Sequence, residues 1–441
     1  AAEALDAAPL AAAARHRRGT IRELDGDFQG ARDDLYRAFV EAEAVADDRL
    51  AAEVAIELLR VDGIDFVEAA GARTWEQVAR AKLARAGDDH RQAVVLDLNR
   101  GIAALEVGQL AIAGAAIRAA VERAEAHRDA DPRLYISALN ILSAVEKGDA
   151  DLRGAAATLR DAYARHVELF GEGHPYQAML VYNIGAVQLM LSDLDDARRS
   201  FEAALSAREA AYGPEHPDVA QSLVGLAAAL IDLGEPEPAI QHLERALTIE
   251  ERARGGDNPE LIFPLYNLSE ALVEAGRLAE AEPPLRRALS ILERRDLRET
   301  AQAVLILTGI ADLQILQERY DDALATLEET APRARRAYGE EHPSFADLDL
   351  HRARALEGKG ELAAAEEAID AGIARITDKP DHVGTATDLA LTKASILWHD
   401  ARRRPDALKL VNEARATLRE RKVDSPKLLR EIDAWLAKHP A

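Results

Sequence analysis

Alanines recur every 42 residues along this chain: Ala113, Ala155, Ala197, Ala239, Ala281, Ala323, Ala365 and Ala407. Four residues after each stands a large apolar residue: Ile117, Leu159, Phe201, Leu243, Leu285, Leu327, Ile369 or Val411. That spacing places both side chains on one helix face, a turn apart. Twelve residues before most of the alanines lies another small residue: Gly101, Gly185, Ala227, Ser269, Ala311, Ala353 and Ser395. The unit with Ala155 reads differently, with Leu142 thirteen before it and a slightly longer turn from Gly148 to Gly154. The pattern predicts a repeated pair of helices, A and B. The small residue in helix A lets helix B approach, the alanine in B does the same in return, and the large residue fills the space between successive pairs.

Boundaries keep the same period. Gly171, Gly213, Gly255 and Gly339 are each followed by a short loop ending in His174-Pro175, His216-Pro217, Asn258-Pro259 or His342-Pro343. Glycine ends one helix, and proline suits the first turn of the next. The chain then divides into about ten hairpins: 8–47, 48–87, 88–128, 129–170, 171–212, 213–254, 255–296, 297–338, 339–380 and 381–422. The first two are least regular, with Ala8-Pro9 at one start and Gly63 and Gly71 in one turn region. Over 425–439, Leu428, Leu429, Ile432, Trp435 and Leu436 share one helix face, as a C-terminal cap requires. The expected fold is an all-α solenoid of antiparallel helical hairpins. Its expected organisation is a less regular part (1–128), a regular part (129–422) and a capping helix.

Composition agrees and narrows the function. Only 4% of the 441 residues are aromatic, against an abundance of helix-forming alanine, leucine, glutamate and arginine. There is no cysteine, which excludes disulfides and thiolate zinc sites and fits a cytoplasmic location. No apolar run approaches the roughly 20 residues that span a bilayer. The net charge of −23 repels phosphate backbones and anionic lipid, so neither nucleic acid nor membrane is an expected partner. Arginine makes up 46 of the 55 basic residues, which reads as a GC-rich genome.

The unit resembles a tetratricopeptide repeat lengthened from 34 to 42 residues, as in kinesin light chains. The stretch GPEHPDVAQSLVGLAAALIDLGEPEPAIQHLERALTIEERAR (213–254) and GRLAEAEPPLRRALSILE (276–293) carry that pattern. The whole chain is also similar to the C-terminal repeat region of bacterial serine/threonine protein kinases, especially those of myxobacteria. ADDRLAAEVAIELLRV (46–61), AGDDH (86–90) and LLREIDAWLAKHP (428–440) carry this likeness. The chain begins inside an alanine-rich helix without an initiator methionine, so a fragment with its partner domain elsewhere is expected. Sensor arms of nucleotide-hydrolysing switches carry similar arrays and give the alternative reading.

Catalytic motifs are missing. No glycine-rich phosphate loop, His-Arg-Asp loop, Walker loop, His-Glu-x-x-His helix or Gly-x-Ser-x-Gly elbow occurs, and DGDFQG (25–30) is not a metal-binding Asp-Phe-Gly element. No catalytic residue, cofactor or metal is therefore expected. His174, His216 and His342 recur at multiples of 42, but equivalent positions of stacked repeats lie roughly 10 Å or more apart, too far to share a metal. A turn or cap role is expected instead. Arg15, His16, Arg17 and Arg18 read as a solvated basic helix face.

The resemblance also implies a right-handed superhelix with helix A on the concave side, where the family binds peptides; periodicity alone selects no face. One inward position holds Asn99, Asn140, Asn183 and Asn267, interrupted by Gly225 and Gly309. In the family, asparagines here bond a peptide backbone; satisfying neighbouring helices is an equal alternative. Met179, Tyr182, Val224, Phe263, Tyr266 and Leu305 make an apolar middle wall, suited to an apolar peptide anchor or to a segment of this chain. Core packing is the rival reading of the aromatics. The candidate partner-binding residues are Met179, Tyr182, Asn183, Val224, Phe263, Tyr266, Asn267 and Leu305, and the expected partner is a protein or peptide. Lysines of the two-carboxylate clamp found in chaperone-binding relatives are missing.

Overall fold

The structure is a computed structural model that describes residues 2–24, 27–66, 68–87, 89–339, 342–377, 383–420 and 426–440. Among these there are 21 α-helices and no β-strand, arranged as ten antiparallel hairpins and a terminal helix, Pro426–Lys438. All eight alanines of the 42-residue series are 0% exposed, so the small-residue column is where the two helices of a pair meet. In the unit with Ala155 that column is held by Ser143, twelve residues before it and buried, and not by Leu142. Its turn is no longer than others: Pro132–Gly148 and Leu152–Phe170 are separated by three residues, as are Pro175–Met190 and Leu194–Tyr212. Several second helices, including Leu194–Tyr212, Pro236–Arg254 and Tyr320–Tyr338, run 19 residues each.

A second column governs the turn inside each hairpin. Gly108, Ala150, Ser192, Gly234, Gly276, Glu318 and Gly360, each 42 residues from the next, have φ between 59° and 80°. Glycine adopts this left-handed conformation freely, whereas other L-residues pay about 1–2 kcal/mol. Ala150→Gly and Glu318→Gly are therefore expected to stabilise the chain by about 0.5–1 kcal/mol each, once the added unfolded-state entropy is deducted. Urea denaturation of the two variants checks this, and a loss of stability in both would refute it.

The hairpin ends are tied by ion pairs. Arg198–Glu235 (3.1 Å), Arg252–Glu215 (2.5 Å), Arg294–Asp257 (2.6 Å), Arg319–Glu282 (3.0 Å), Arg336–Glu299 (2.5 Å) and Arg403–Glu366 (2.5 Å) all join residues 37 apart. Exposed pairs contribute at most about 1 kcal/mol each. Their regularity gives the arginine excess a structural role beyond base composition.

The first hairpins depart from the regular plan. Pro9 lies inside the helix Ala2–Leu24 and does not begin it. The helix Asp48–Arg60 continues through a π-helical turn, Val61–Asp65, in which Gly63 lies against Ala103 and Ala72. Gly71 sits in the next helix, Ala69–Ala86, against the carboxylate of Asp62. The face of Arg15, His16, Arg17 and Arg18 is solvated only in part: Arg17 and Arg18 are exposed, but Arg18 pairs with Asp34 at 2.5 Å, Arg15 with Glu41 at 3.0 Å, and His16 Nε2 lies 2.9 Å from Glu57.

By its contacts the chain divides into two compact units, Ala1–Leu180 and Val181–Ala441. In the second unit the terminal helix covers the last hairpin: Leu428, Leu429, Ile432, Trp435 and Leu436 pack with Leu391, Leu397, Val411 and Leu418. Its Arg430 Nη2 also donates to the carbonyl of Asp232 (3.4 Å), at the end of the helix Pro217–Leu233.

Candidate functional site

Contacts between helices show which side of the array is inner. In the second unit the first helix of each hairpin touches the first helix of the next, from Pro217–Leu233 through Ile262–Glu274, Ala301–Leu316 and Phe345–Gly358 to Val383–Trp398. No contact of similar extent joins successive second helices. The first helices therefore lie on the inside of the curve in this unit, and the first unit behaves alike through Asp48–Arg60, His90–Glu106 and Pro132–Gly148.

Of the eight candidate residues, Met179 belongs to the first unit and is half-buried there. The other seven belong to the second. Tyr182, Val224 and Tyr266 are half-buried and pack against one apolar cluster that includes Phe201, Leu226, Leu265 and Leu285. The Tyr182 ring lies 5.3 Å from that of Phe201, and the Arg208 guanidinium stands 4.9 Å from its centroid. The two gaps in the asparagine series are explained by these tyrosines. A methyl group at Gly225 would stand 2.6 Å from Phe201 Cε1 and 3.0 Å from Tyr182 Cε2; one at Gly309 would stand 3.2 Å from Tyr266 Cε2. Each tyrosine leans across the glycine of the following hairpin, so the rings are part of the packing and only their edges remain available.

Phe263 is different. It is 47% exposed on the first turn of Ile262–Glu274, and Leu305 is half-buried one hairpin on. Asn183 and Asn267 are half-buried, and among the described residues the Asn267 amide has no hydrogen-bond partner. Asn99 in the first unit is buried and donates to the carbonyl of Ile56 (3.3 Å), the neighbour-satisfying role. Around Tyr266 the wall is acidic. Its hydroxyl donates to Glu270 (3.2 Å), and burial, then Glu270, Asp312 and Asp347, push its pKa well above the ordinary phenol value. His351 Nδ1 lies 3.2 Å from Asp312, and Thr385 donates to Asp347 at 3.2 Å.

The recurring histidines are caps. His174 and His216 Nδ1 accept the N–H of Tyr176 and Asp218 at 3.1 Å, His342 accepts that of Ser344 at 3.3 Å, and Asn258 Oδ1 accepts that of Glu260 at 3.2 Å. Each histidine ring also lies against the aromatic residue four positions earlier: stacked for His216 on Tyr212 and His342 on Tyr338, tilted for His174 beside Phe170. Among the described residues no group of three metal-ligating side chains converges, and no helix is long and apolar enough to cross a membrane.

No curated protein matches the sequence. Tetratricopeptide repeat models match residues 176–252, 233–294 and 310–344. Among solved structures, a Rap protein complexed with competence and sporulation factor aligns with TM-score 0.59 at 16% identity, over 86% of this chain and 99% of that one. Aspartyl phosphate phosphatase F from Bacillus subtilis aligns with TM-score 0.53 at 14% identity, over 83% and 93%. A putative kinesin light chain repeat protein of Podosopora anserina aligns with TM-score 0.41 at 20% identity, over 46% and 97%. At their identities the first two likenesses show the fold alone. Residues 176–294 and 310–344 thus match tetratricopeptide repeats, set in an all-α solenoid.

Proposed function

We propose that the inner face of the second unit binds an extended segment of a protein partner. The exposed ring of Phe263 carries the reading. It stands on the inner helices beside Leu305 and the unengaged amide of Asn267, which can both donate to and accept from a peptide unit. Tyr182, Asn183, Val224 and Tyr266 extend the same face. Glu270, Asp312 and Asp347 beside it, with a net charge of −23, favour a partner that carries a basic residue near its apolar anchor. A structure of like fold is complexed with a competence and sporulation factor, which supports a binding role. The organisation into 1–128, 129–422 and a cap at 425–439 belongs to this reading.

The finer reading is a docking or sensor module of a bacterial signalling protein, with a serine/threonine kinase as the catalytic partner. The resemblance of 46–61, 86–90 and 428–440 to kinase repeat regions supports it; the alternative is the sensor arm of a nucleotide-hydrolysing switch. The coding sequence upstream separates them by a kinase signature or a Walker loop.

Peptides selected from a random display library on the immobilised chain test the binding face. Phe263→Ser with Leu305→Ser is expected to weaken the selected peptides by at least about 30-fold, as loss of a central aromatic anchor does, while helix content is kept. Unchanged affinity would place binding elsewhere.

A further inference from the structure

A buried polar residue closes the junction after each of three successive second helices, and one of the three is too short. The positions are His166, Arg208 and Glu250, 42 residues apart and 3%, 3% and 6% exposed. Arg208 reaches across its junction: Nη1 donates to the Asp218 carbonyl (2.8 Å) and to Ser222 Oγ (2.9 Å), and the guanidinium lies on the Tyr182 ring. Glu250 accepts from Arg254 Nη1 (3.1 Å) and Asn258 Nδ2 (3.4 Å). The imidazole of His166 only meets Gln177 Nε2, at 3.4 Å, while that amide also donates to the Gly171 carbonyl at 2.5 Å.

Beside His166 lies a cavity of about 250 Å³, entirely within the first unit. Rings form its walls. His166 lies 4.5 Å from Phe170, 4.8 Å from His174 and 5.1 Å from Tyr176, the last nearly parallel at 16°. Ile136 and Ser137 complete the lining. One charge stands among these groups: the exposed Arg133, whose guanidinium is 4.7 Å from the Phe170 centroid. Among the described residues Arg133 has no carboxylate partner, in a chain whose arginines are mostly paired. Burial, followed by the charges of His174 and Arg133, pushes the His166 imidazole below its ordinary pKa and favours its neutral form.

An aromatic slot with one unneutralised cation calls for a flat ring carrying one negative charge. A cationic ligand would face Arg133 without a carboxylate to offset it, and a saturated acid would forgo the ring contacts. Size agrees, since cavities of about 150 Å³ already accept benzene. We propose that this cavity is a small-molecule site for an aromatic carboxylate of one or two rings, with the ring against His166, Phe170 and Tyr176 and the carboxylate on Arg133. The ligand would supply at this junction the bridge that Arg208 supplies at the next. The site is independent of the inner face around Phe263.

Calorimetric titration of the purified chain with indole-3-acetate and phenylacetate tests the proposal. Tryptamine, with the same ring and opposite charge, and cyclohexylacetate, with the same charge and no aromatic ring, serve as controls. Both aromatic acids are expected to bind saturably, with dissociation constants on the order of 0.1–1 mM, and both controls about tenfold or more weakly. Arg133→Gln, at an exposed position, is expected to weaken the acids about tenfold. His166→Arg installs the neighbouring junction's filler and is expected to abolish binding. Should that variant not fold, the Arg133→Gln result decides. The proposal is overturned if neither acid binds at several millimolar, if tryptamine binds as well as indole-3-acetate, or if Arg133→Gln leaves the affinities unchanged.

Discussion

Replacing Phe201 by alanine is expected to destabilise the hairpins around it by about 3–5 kcal/mol, the cost of emptying a buried aromatic site. Phe201 is 1% exposed and is the largest residue of the apolar column that follows the alanines. Its ring is held from two sides by absent side chains. A methyl group at Gly185 would stand 3.0 Å from Cε1, and one at Gly225 would stand 2.6 Å from it. Tyr182 then closes over the same ring, so the cavity cannot collapse without moving the inner wall. Each hairpin contacts chiefly its neighbours, so the damage stays local. Hydrogen exchange should quicken over 194–233 and change little in the helix Tyr320–Tyr338. Gly225→Ala probes the packing from the opposite direction, with an overpacking cost of about 1–3 kcal/mol. A cost under about 1 kcal/mol for Phe201→Ala would sink this account.

The same region shows what was legible in the sequence. Period, hairpin number and boundary glycines could all be read, because each rests on contacts within one hairpin or between adjacent ones. The pairing of Tyr182 with Gly225 and of Tyr266 with Gly309 is also written there, at a spacing of 43 in both cases. It stays hidden when columns are compared only with themselves, since it joins one column to the next. Ser143 was obscured in the same way by the large Leu142 beside it. The turn column from Gly108 to Gly360 is glycine at four of seven positions, and Ala150, Ser192 and Glu318 mask it. The inner face was not legible, because two amphipathic helices of similar composition leave the direction of curvature to packing. Nor was the cavity at His166: a histidine at that position becomes informative only when its size is set against Arg208 and Glu250 in equivalent surroundings.

Asp34→Ala is expected to cost about 2–4 kcal/mol in the first hairpin, because it removes the buried carboxylate that Arg18 and Arg22 share. Asp34 is 2% exposed. It accepts from Arg18 Nε at 2.7 Å and Nη2 at 2.5 Å, with Arg22 Nη1 at 3.0 Å and Arg15 Nη1 at 3.9 Å. The hydrogen bond from Arg18 holds the carboxyl below the ordinary aspartate value, helped by the charges of Arg18, Arg22 and Arg15 and opposed by burial. A depressed folded-state pKa means that the unfolded chain takes up the proton first as pH falls. The stabilisation is therefore complete above the unfolded aspartate pKa of about 3.9 and is lost as pH drops through the lower folded value. Wild type should lose stability in this hairpin below about pH 4, and Asp34→Asn should lack that part of the slope while being weaker at neutral pH. Hydrogen exchange in the helix Phe28–Ala44 at pH 3 and pH 7 reads both effects. Equal protection in wild type and Asp34→Asn at pH 7 would mean that Arg18 and Arg22 are solvated well enough to dispense with the carboxylate.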